Sequence, residues 1–282
     1  MTRVTTRIKR TRYAADAPPI TREDLLAVEE PLQIRLRAHG DDPAQPPREL
    51  TVTMRTPGDD FDLVAGFLVG EGVARRTEDL VSMRYCAGTD EHGRQTFNVI
   101  DVTLADEVPA PAARQMTTTS ACGICGTTSI DEVLKAAPPW DLGDPARSLV
   151  GLDVLLTLPD RLRGQQSVFE RTGGVHAAGL FTAAGELLCL REDVGRHNAV
   201  DKVLGWALRE GRLPLTDTIL QVSGRASFEL VQKARQGGIP VLAAVGAPSS
   251  LAVALAEQTG LTLLGFSRGD SLNGYTHTRR IT

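Results

Sequence analysis

The chain has 282 residues, 41% hydrophobic and 23% charged, with a formal net charge of −4. That is ordinary globular composition, long enough for a sizeable core in one large or two smaller domains, and too weakly charged for broad nucleic-acid binding. No apolar run reaches the roughly 18 residues of a membrane span, and four cysteines in so long a chain fit a reducing, cytoplasmic setting rather than a disulfide scaffold.

The N-terminus carries Arg3, Arg7, Lys9, Arg10 and Arg12 with no apolar stretch behind them. It reads as a solvated, partly disordered basic tail and not as a secretory leader. Leu32, Ile34 and Leu36 alternate, then Leu50, Val52 and Met54, which predicts two strands joined by the polar link Asp41 to Pro47. Asp59 or Asp60 can cap a helix with Phe61, Val64, Phe67 and Leu68 on one apolar face, ending near Gly70 and Gly72. Strand patterns follow at 80–86 and 96–104.

Pro109, Pro111 and Thr117 to Thr119 form a linker into Cys122-Gly123-Ile124-Cys125-Gly126. Ser129 and Glu132 then have capping-box spacing, opening a short helix that Pro138 and Pro139 stop. From about 150, Leu152, Leu155, Leu156, Leu162, Val168 and Phe169 suggest helical turns up to Gly173-Gly174. A hairpin follows, 175–182 and 186–191, around Ala183-Ala184-Gly185. Helices at 196–209, 226–236 and 249–259 alternate with strands at 218–223, 240–245 and 261–266, which predicts a parallel-rich sheet covered by helices.

The cysteine pair admits three chemistries. A zinc site needs about four ligands, yet there is no second Cys-x-x-Cys and His39, His92, His176, His197 and His277 are scattered. The zinc deaminases need His-x-Glu before Pro-Cys-x-x-Cys; here no His-x-Glu occurs and Ala121 stands in place of the proline. Dithiol redox chemistry fits the spacing. A nucleophilic or persulfide-carrying cysteine fits the glycines, which let a large partner approach the sulfur. Cys86 and Cys189 lie in strand-like stretches and read as buried, inert thiols.

Three further stretches are dense in polar groups. In Arg191 to Lys202, Asp193 and His197 are four apart and can meet on a helix, with the carboxylate fixing the imidazole tautomer. Ser223-Gly224-Arg225-Ala226-Ser227, between a strand and a helix, suits an anion, although it lacks the P-loop lysine. Gly265 to Ser271 follows the last predicted strand with an aromatic, a cation and a carboxylate, a set able to stack on and hydrogen-bond a purine.

Together these blocks resemble the FdhD/NarQ family of formate dehydrogenase accessory sulfurtransferases. The resemblance rests on Glu30-Pro31-Leu32, Met54 to Phe61, Cys122 to Gly126, Thr172 to His176, Arg191 to Lys202 and Ser223-Gly224-Arg225. It implies a cytidine-deaminase-like three-layer α/β/α domain over 141–282, an added β-rich part over 1–115 and a mobile cysteine loop with a short helix over 116–140. It implies a homodimer that takes persulfide sulfur from a cysteine desulfurase and passes it to the molybdenum cofactor of formate dehydrogenase. That cofactor is the bis-(molybdopterin guanine dinucleotide) form, bound as substrate, and no zinc is expected. Cys122 matches the persulfide cysteine, with Cys125 its partner. Phe266, Ser267, Arg268, Gly269, Asp270 and Ser271 match the nucleotide-cofactor segment. Ser223, Gly224 and Arg225, with His176 and His197, are further candidates for holding the cofactor. A cofactor-binding chaperone and a dithiol oxidoreductase are the competing functions.

Overall fold

The computed structural model describes residues 3–38, 40–42, 45–86, 88, 95–105, 108, 116–117, 140–144 and 147–282. Cys122, Cys125 and the Ser129–Glu132 capping box lie outside the described residues.

The basic N-terminus is a ribbon, not a tail. β1 (Thr5–Ala14) and β2 (Ala17–Ala27) pair antiparallel, Thr5 opposite Ala27. Cross-strand contacts support the ladder: Arg10 with Asp24 at 2.7 Å, and Thr11 with Thr21 at 3.0 Å. Side chains on a half-solvated ribbon are mostly polar, so a strand and a solvated tail have the same composition here.

A five-stranded sheet follows in the order β5-β6-β3-β4-β7. Its members are β3 (Glu30–Ala38), β4 (Arg48–Arg55), β5 (Leu80–Tyr85), β6 (Val99–Leu104) and the two-residue β7 (Met116–Thr117). Leu32, Ile34 and Leu36 point inward as predicted. On β4 the inward positions are Leu50, Thr51 and Arg55, while Val52 and Met54 are exposed. The pairing of β3 with β4 shifts register between Ile34 and Arg35, so strict alternation breaks.

α1 (Asp60–Gly70) is buried nearly all round, not on one face, because it lies between this sheet and a second helix. Asp59 precedes it with a left-handed backbone, φ 53°, and makes no side-chain cap. Arg55 is fully buried and closes this corner: its guanidinium donates to both carboxylate oxygens of Asp60, at 3.1 and 2.9 Å.

The remainder is a six-stranded sheet in the order β13-β12-β11-β10-β8-β9. β8 (His176–Thr182) and β9 (Leu187–Asp193) form the predicted hairpin, turned at Gly185 with φ +79°. β10 (Thr218–Val222), β11 (Val241–Ala244) and β12 (Thr262–Arg268) run parallel to one another. β13 (Ser271–Thr276) returns antiparallel, so three of the five pairings are antiparallel and the sheet is mixed rather than parallel-rich.

Burial alternates with period two along these strands. Ala177, Phe181, Ile219, Val241, Ala243 and Leu264 face α2 (Leu152–Arg163). Ala178, Leu180, Leu220, Val222, Leu242 and Leu263 face the opposite core, which includes α4 (Arg196–Arg209), α5 (Phe228–Gln236) and α6 (Ser250–Gln258). Helices on both faces of one sheet give three layers, α/β/α. α3 (Ser167–Thr172) is a short helix between α2 and β8. The larger core runs on without a break into α1 and the five-stranded sheet. Among the described residues no helix is long and apolar enough to cross a membrane.

Candidate functional site

The chain crosses the sheet after β9: β9 lies on one side of β8, and β10, β11 and β12 on the other. In open α/β sheets such a switch point leaves a crevice beyond the carboxyl ends of the strands. Here the crevice is a cavity of about 560 Å³, within the size range of small-molecule sites.

Its floor is built from strand ends. His176 opens β8, and Ser223 follows β10. The Ala177 N–H donates to Ser223 Oγ at 2.9 Å, and the Ser223 N–H donates back to the Ala177 carbonyl at 3.0 Å. Val194 and Val245 complete the strand side, and Arg268 and Gly269 come from the end of β12. The opposite wall is α2 and α3: Leu162, Arg163, Gln166 and Phe169, then Gly173 and Gly174. Glu192 fixes this wall. Its two carboxylate oxygens accept the N–H groups of Val168 and Phe169, each at 2.8 Å, and so cap α3. The Arg163 guanidinium stacks 4.2 Å above the Phe169 ring.

The cavity's charged side chains, two arginines and Asp160, leave a net positive charge suited to an anion. Arg163 and Arg268 supply cations. Burial, with Arg196 and His197 nearby, pushes the His176 imidazole below the usual histidine range, so it is neutral at neutral pH. A neutral imidazole can donate one hydrogen bond and accept another. Among the described residues no cluster of three or more His, Cys, Asp or Glu side chains is placed to hold a metal ion.

The residues singled out from the sequence take different positions. His176, Ser223, Arg268 and Gly269 meet in the cavity, although they are far apart in the chain. Gly224 packs against His176, where an added Cβ would be 3.4 Å from Nδ1. Arg225 and His197 are not in the cavity wall, and Arg225 is exposed. The 266–271 stretch is a hairpin, not a loop into a tail. Phe266 has φ 52°, Ser267 is fully buried, and Gly269 and Asp270 turn the chain into β13 at Ser271. Gly269, with φ +59°, takes the first turn position, where a residue without Cβ is favoured.

Asp193 and His197 do not pair. Asp193 is fully buried and accepts from Lys202 at 2.8 Å, from the Thr56 N–H at 3.1 Å and from Asn198 Nδ2 at 3.0 Å. Its position at the end of β9 turns it toward β4, because the two sheets join there. His197 instead meets Glu229 at 2.5 Å and Ser227 at 3.3 Å. The hydrogen bond from His197 holds the Glu229 carboxyl below its usual range, outweighing burial. A depressed carboxyl contributes stability above its unfolded value and loses it as pH falls through the folded one. Glu229→Gln should therefore melt below the parent at neutral pH, with the gap closing as pH drops below the carboxylate range. A gap that is constant with pH in thermal melts would contradict this.

Cys189 is buried, and burial pushes its thiol up to about 12, so it is inert as expected. Cys86 is only half-buried, and Arg35 Nη2 donates to its sulfur at 3.0 Å. The α2–α3 wall was not apparent from sequence, because Gln166 and Phe169 follow no recognisable motif.

Fold and cavity define an α/β protein with a small-molecule-sized crevice at the switch point of its main sheet. A family model described as the FdhD/NarQ family matches residues 27–282, and the chain belongs to that family. Among curated relatives, a protein of Nocardia farcinica named sulfur carrier protein FdhD is 56% identical, over 99% of this chain and 95% of its own length. Those so named from Streptomyces avermitilis (54%, over 100% and 97%) and Mycobacterium tuberculosis (51%, over 97% and 98%) are similar too. A solved structure from Desulfotalea psychrophila, described as a formate dehydrogenase accessory protein, superposes with a TM-score of 0.74. It is 26% identical, and the match covers 99% of this chain and 100% of that one.

Proposed function

We propose that this chain carries persulfide sulfur from a cysteine desulfurase to the molybdenum cofactor that formate dehydrogenase requires, acting in the cytoplasm. The relatives named as sulfur carriers support the sulfur chemistry. The observation that carries the substrate assignment is the cavity, where His176, Ser223 and Arg268 converge from three separate blocks. It suits one guanine-dinucleotide arm of the bis-(molybdopterin guanine dinucleotide) cofactor, bound as substrate. Two such arms call for two cavities, which a homodimer supplies.

In this reading the Cys122 thiolate attacks the outer sulfur of the desulfurase persulfide. A new sulfur–sulfur bond forms, the old one breaks, and the desulfurase cysteine leaves as thiolate. Cys122 then holds –S–SH, and its outer sulfur passes to the bound cofactor. Cys125 can share the load by the same exchange: its thiolate attacks the outer sulfur, the Cys122 S–S bond breaks, and Cys122 leaves as thiolate. Arg163 and Arg268 neutralise phosphate, while neutral His176 and the Ser223 hydroxyl orient it.

Intact-mass spectrometry after incubation with a desulfurase and cysteine tests the carrier step. One added sulfur atom should appear, and Cys122→Ala should lose it together with formate dehydrogenase activation. If neither Cys122 nor Cys125 gains sulfur, the protein is a cofactor-binding chaperone or a dithiol oxidoreductase instead.

A further inference from the structure

α4 and α5 lie on the sheet face opposite α2, and their first turns meet at His197. His197 Nε2 is 2.5 Å from a Glu229 carboxylate oxygen and 3.3 Å from Ser227 Oγ. Both partners sit at the start of α5, Ser227 as its N-cap. The pair is not sealed in: the His197 and Glu229 side chains are 27% and 22% exposed. A carboxylate that accepts Nε2–H fixes the tautomer and leaves Nδ1 to take up a proton. Nδ1 makes no hydrogen bond to a described residue. Arg196, the residue before, has its Nε buried without a hydrogen-bond partner among the described residues. The other charged or titratable groups around His197 are Asp201 on α4, Lys233 on α5, and Asp193 and His176 at the strand ends. Asp201 is paired with Lys233 and Asp193 with Lys202, which leaves Glu229 and Arg196 to act on the imidazole.

The strand pairing points a thiol toward this pair. β7 runs parallel to β4 with Thr117 opposite Val52, so at Thr117 the chain heads the way of Met54. The Met54 carbonyl accepts Asn198 Nδ2 at 2.7 Å, and Asn198 is the neighbour of His197. Cys122 is five positions past Thr117, at most about 17 Å of extended chain. Resting on the reading of this chain as a persulfide carrier, we infer that His197, oriented by Glu229, is the base that turns the attacking thiol into thiolate. The Cys122 S–H proton goes to Nδ1. The thiolate attacks the outer sulfur of the incoming persulfide, the old sulfur–sulfur bond breaks, and the desulfurase cysteine leaves as thiolate. The imidazolium returns the proton to that leaving sulfur, so one base serves both halves of the exchange and no oxidant or reductant is consumed. Between the two transfers the imidazolium and Arg196 supply the cationic setting that favours a thiolate. Glu229 is the positioning residue, kept ionised by the hydrogen bond from His197.

The rate of Cys122 alkylation by iodoacetamide against pH, followed by peptide mass spectrometry in a Cys125→Ser background, is the test. An ordinary thiol titrates near about pH 8.5, and Cys122 should titrate below that. His197→Gln, which keeps a hydrogen bond to Glu229, should raise the midpoint by about one pH unit, a reaction roughly tenfold slower at pH 7. Glu229→Gln should raise it in the same direction by less, and it carries the test should the histidine variant not fold. Alkylation of the half-buried Cys86, read in the same digests, should not change, whereas a loosened fold would speed it. A Cys122 midpoint that is unchanged in the folded variants would overturn the base assignment and leave the carrier reading standing. Sulfur loading reports on that reading separately: if the unaltered chain gains no sulfur from the desulfurase, the carrier reading fails, while a shifted midpoint still assigns His197 as the base for Cys122.

Discussion

Alanine at Gly66 or at Gly205 should leave little folded protein. Gly66 lies in α1 and Gly205 in α4, and the two helices cross backbone to backbone at these residues. A Cβ on Gly66 would fall inside contact distance of the Asp201 carbonyl and the Gly205 nitrogen. A Cβ on Gly205 would meet the Asp62 carbonyl and the Gly66 nitrogen in the same way. These obstacles are main chain, so no rotamer change relieves the clash and one helix must move. α1 is buried on nearly every side, against β3, β6 and α4, so movement opens gaps elsewhere in a close-packed core. Overpacking costs about 1–3 kcal/mol where side chains can adjust; against fixed backbone we expect the upper end or beyond. Moving α1 also strains Asp62, which receives Arg191 at 2.7 Å and Arg209 at 2.5 Å. A loss of about 3 kcal/mol or more is a large share of the 5–15 kcal/mol typical of a domain. Soluble yield and urea midpoint should both collapse. Gly164→Ala is the matched control: its backbone is right-handed, with φ −65°, and the nearest atom to an added Cβ is 3.4 Å away. That variant should stay near the parent. A Gly66→Ala protein with the parent's urea midpoint would overturn the close-crossing argument.

This contact also marks where sequence reading stopped. The α/β half was legible because burial sets a period: strands alternate inward and outward, and α4 occupies the predicted 196–209 to the residue. Strand β13 was missed because Gly269 and Asp270 look like the start of a tail unless a partner strand is known. The β1–β2 ribbon was missed for a similar reason, since backbone pairing leaves little trace in a run of arginines and threonines. Gly66 has helical dihedrals, so nothing local distinguishes it from alanine, and its purpose lies in a helix about 140 residues away. At the cavity, the strand-end residues His176, Ser223 and Arg268 were legible because small and charged residues at strand–helix junctions have a chemical rationale. Gln166 was not, because one glutamine in a connection carries no pattern. Asp193 was assigned the wrong partner, since spacing of four favoured His197 while the true partner, Lys202, is nine positions on.

Lys202→Met should cost about 3–5 kcal/mol, the usual loss when one member of a buried ion pair is removed. Lys202 is 1% exposed. Its ammonium donates to Asp193 Oδ2 at 2.8 Å and to the Thr56 carbonyl at 2.9 Å. The methionine variant leaves Asp193 with three donors (the Thr56 N–H, the Gly195 N–H and Asn198) but no opposite charge. Asp193→Asn strands the opposite charge and should be comparably damaging. The double variant removes both charges and should be more stable than the sum of the two losses, by a coupling of about 1–3 kcal/mol. The pair also bears on the cavity: Asp193 is opposite His176 in the β8–β9 register, and Val194, the next residue, is part of the cavity wall and donates its N–H to Thr56 Oγ1 at 3.1 Å. Thr56 belongs to the segment linking β4 to α1, so one buried cluster ties the five-stranded sheet to the floor of the cavity. Folded single variants should accordingly bind GDP less tightly, and the double variant should regain part of that affinity. Strictly additive losses would remove this ion pair from the account of how the two sheets are joined.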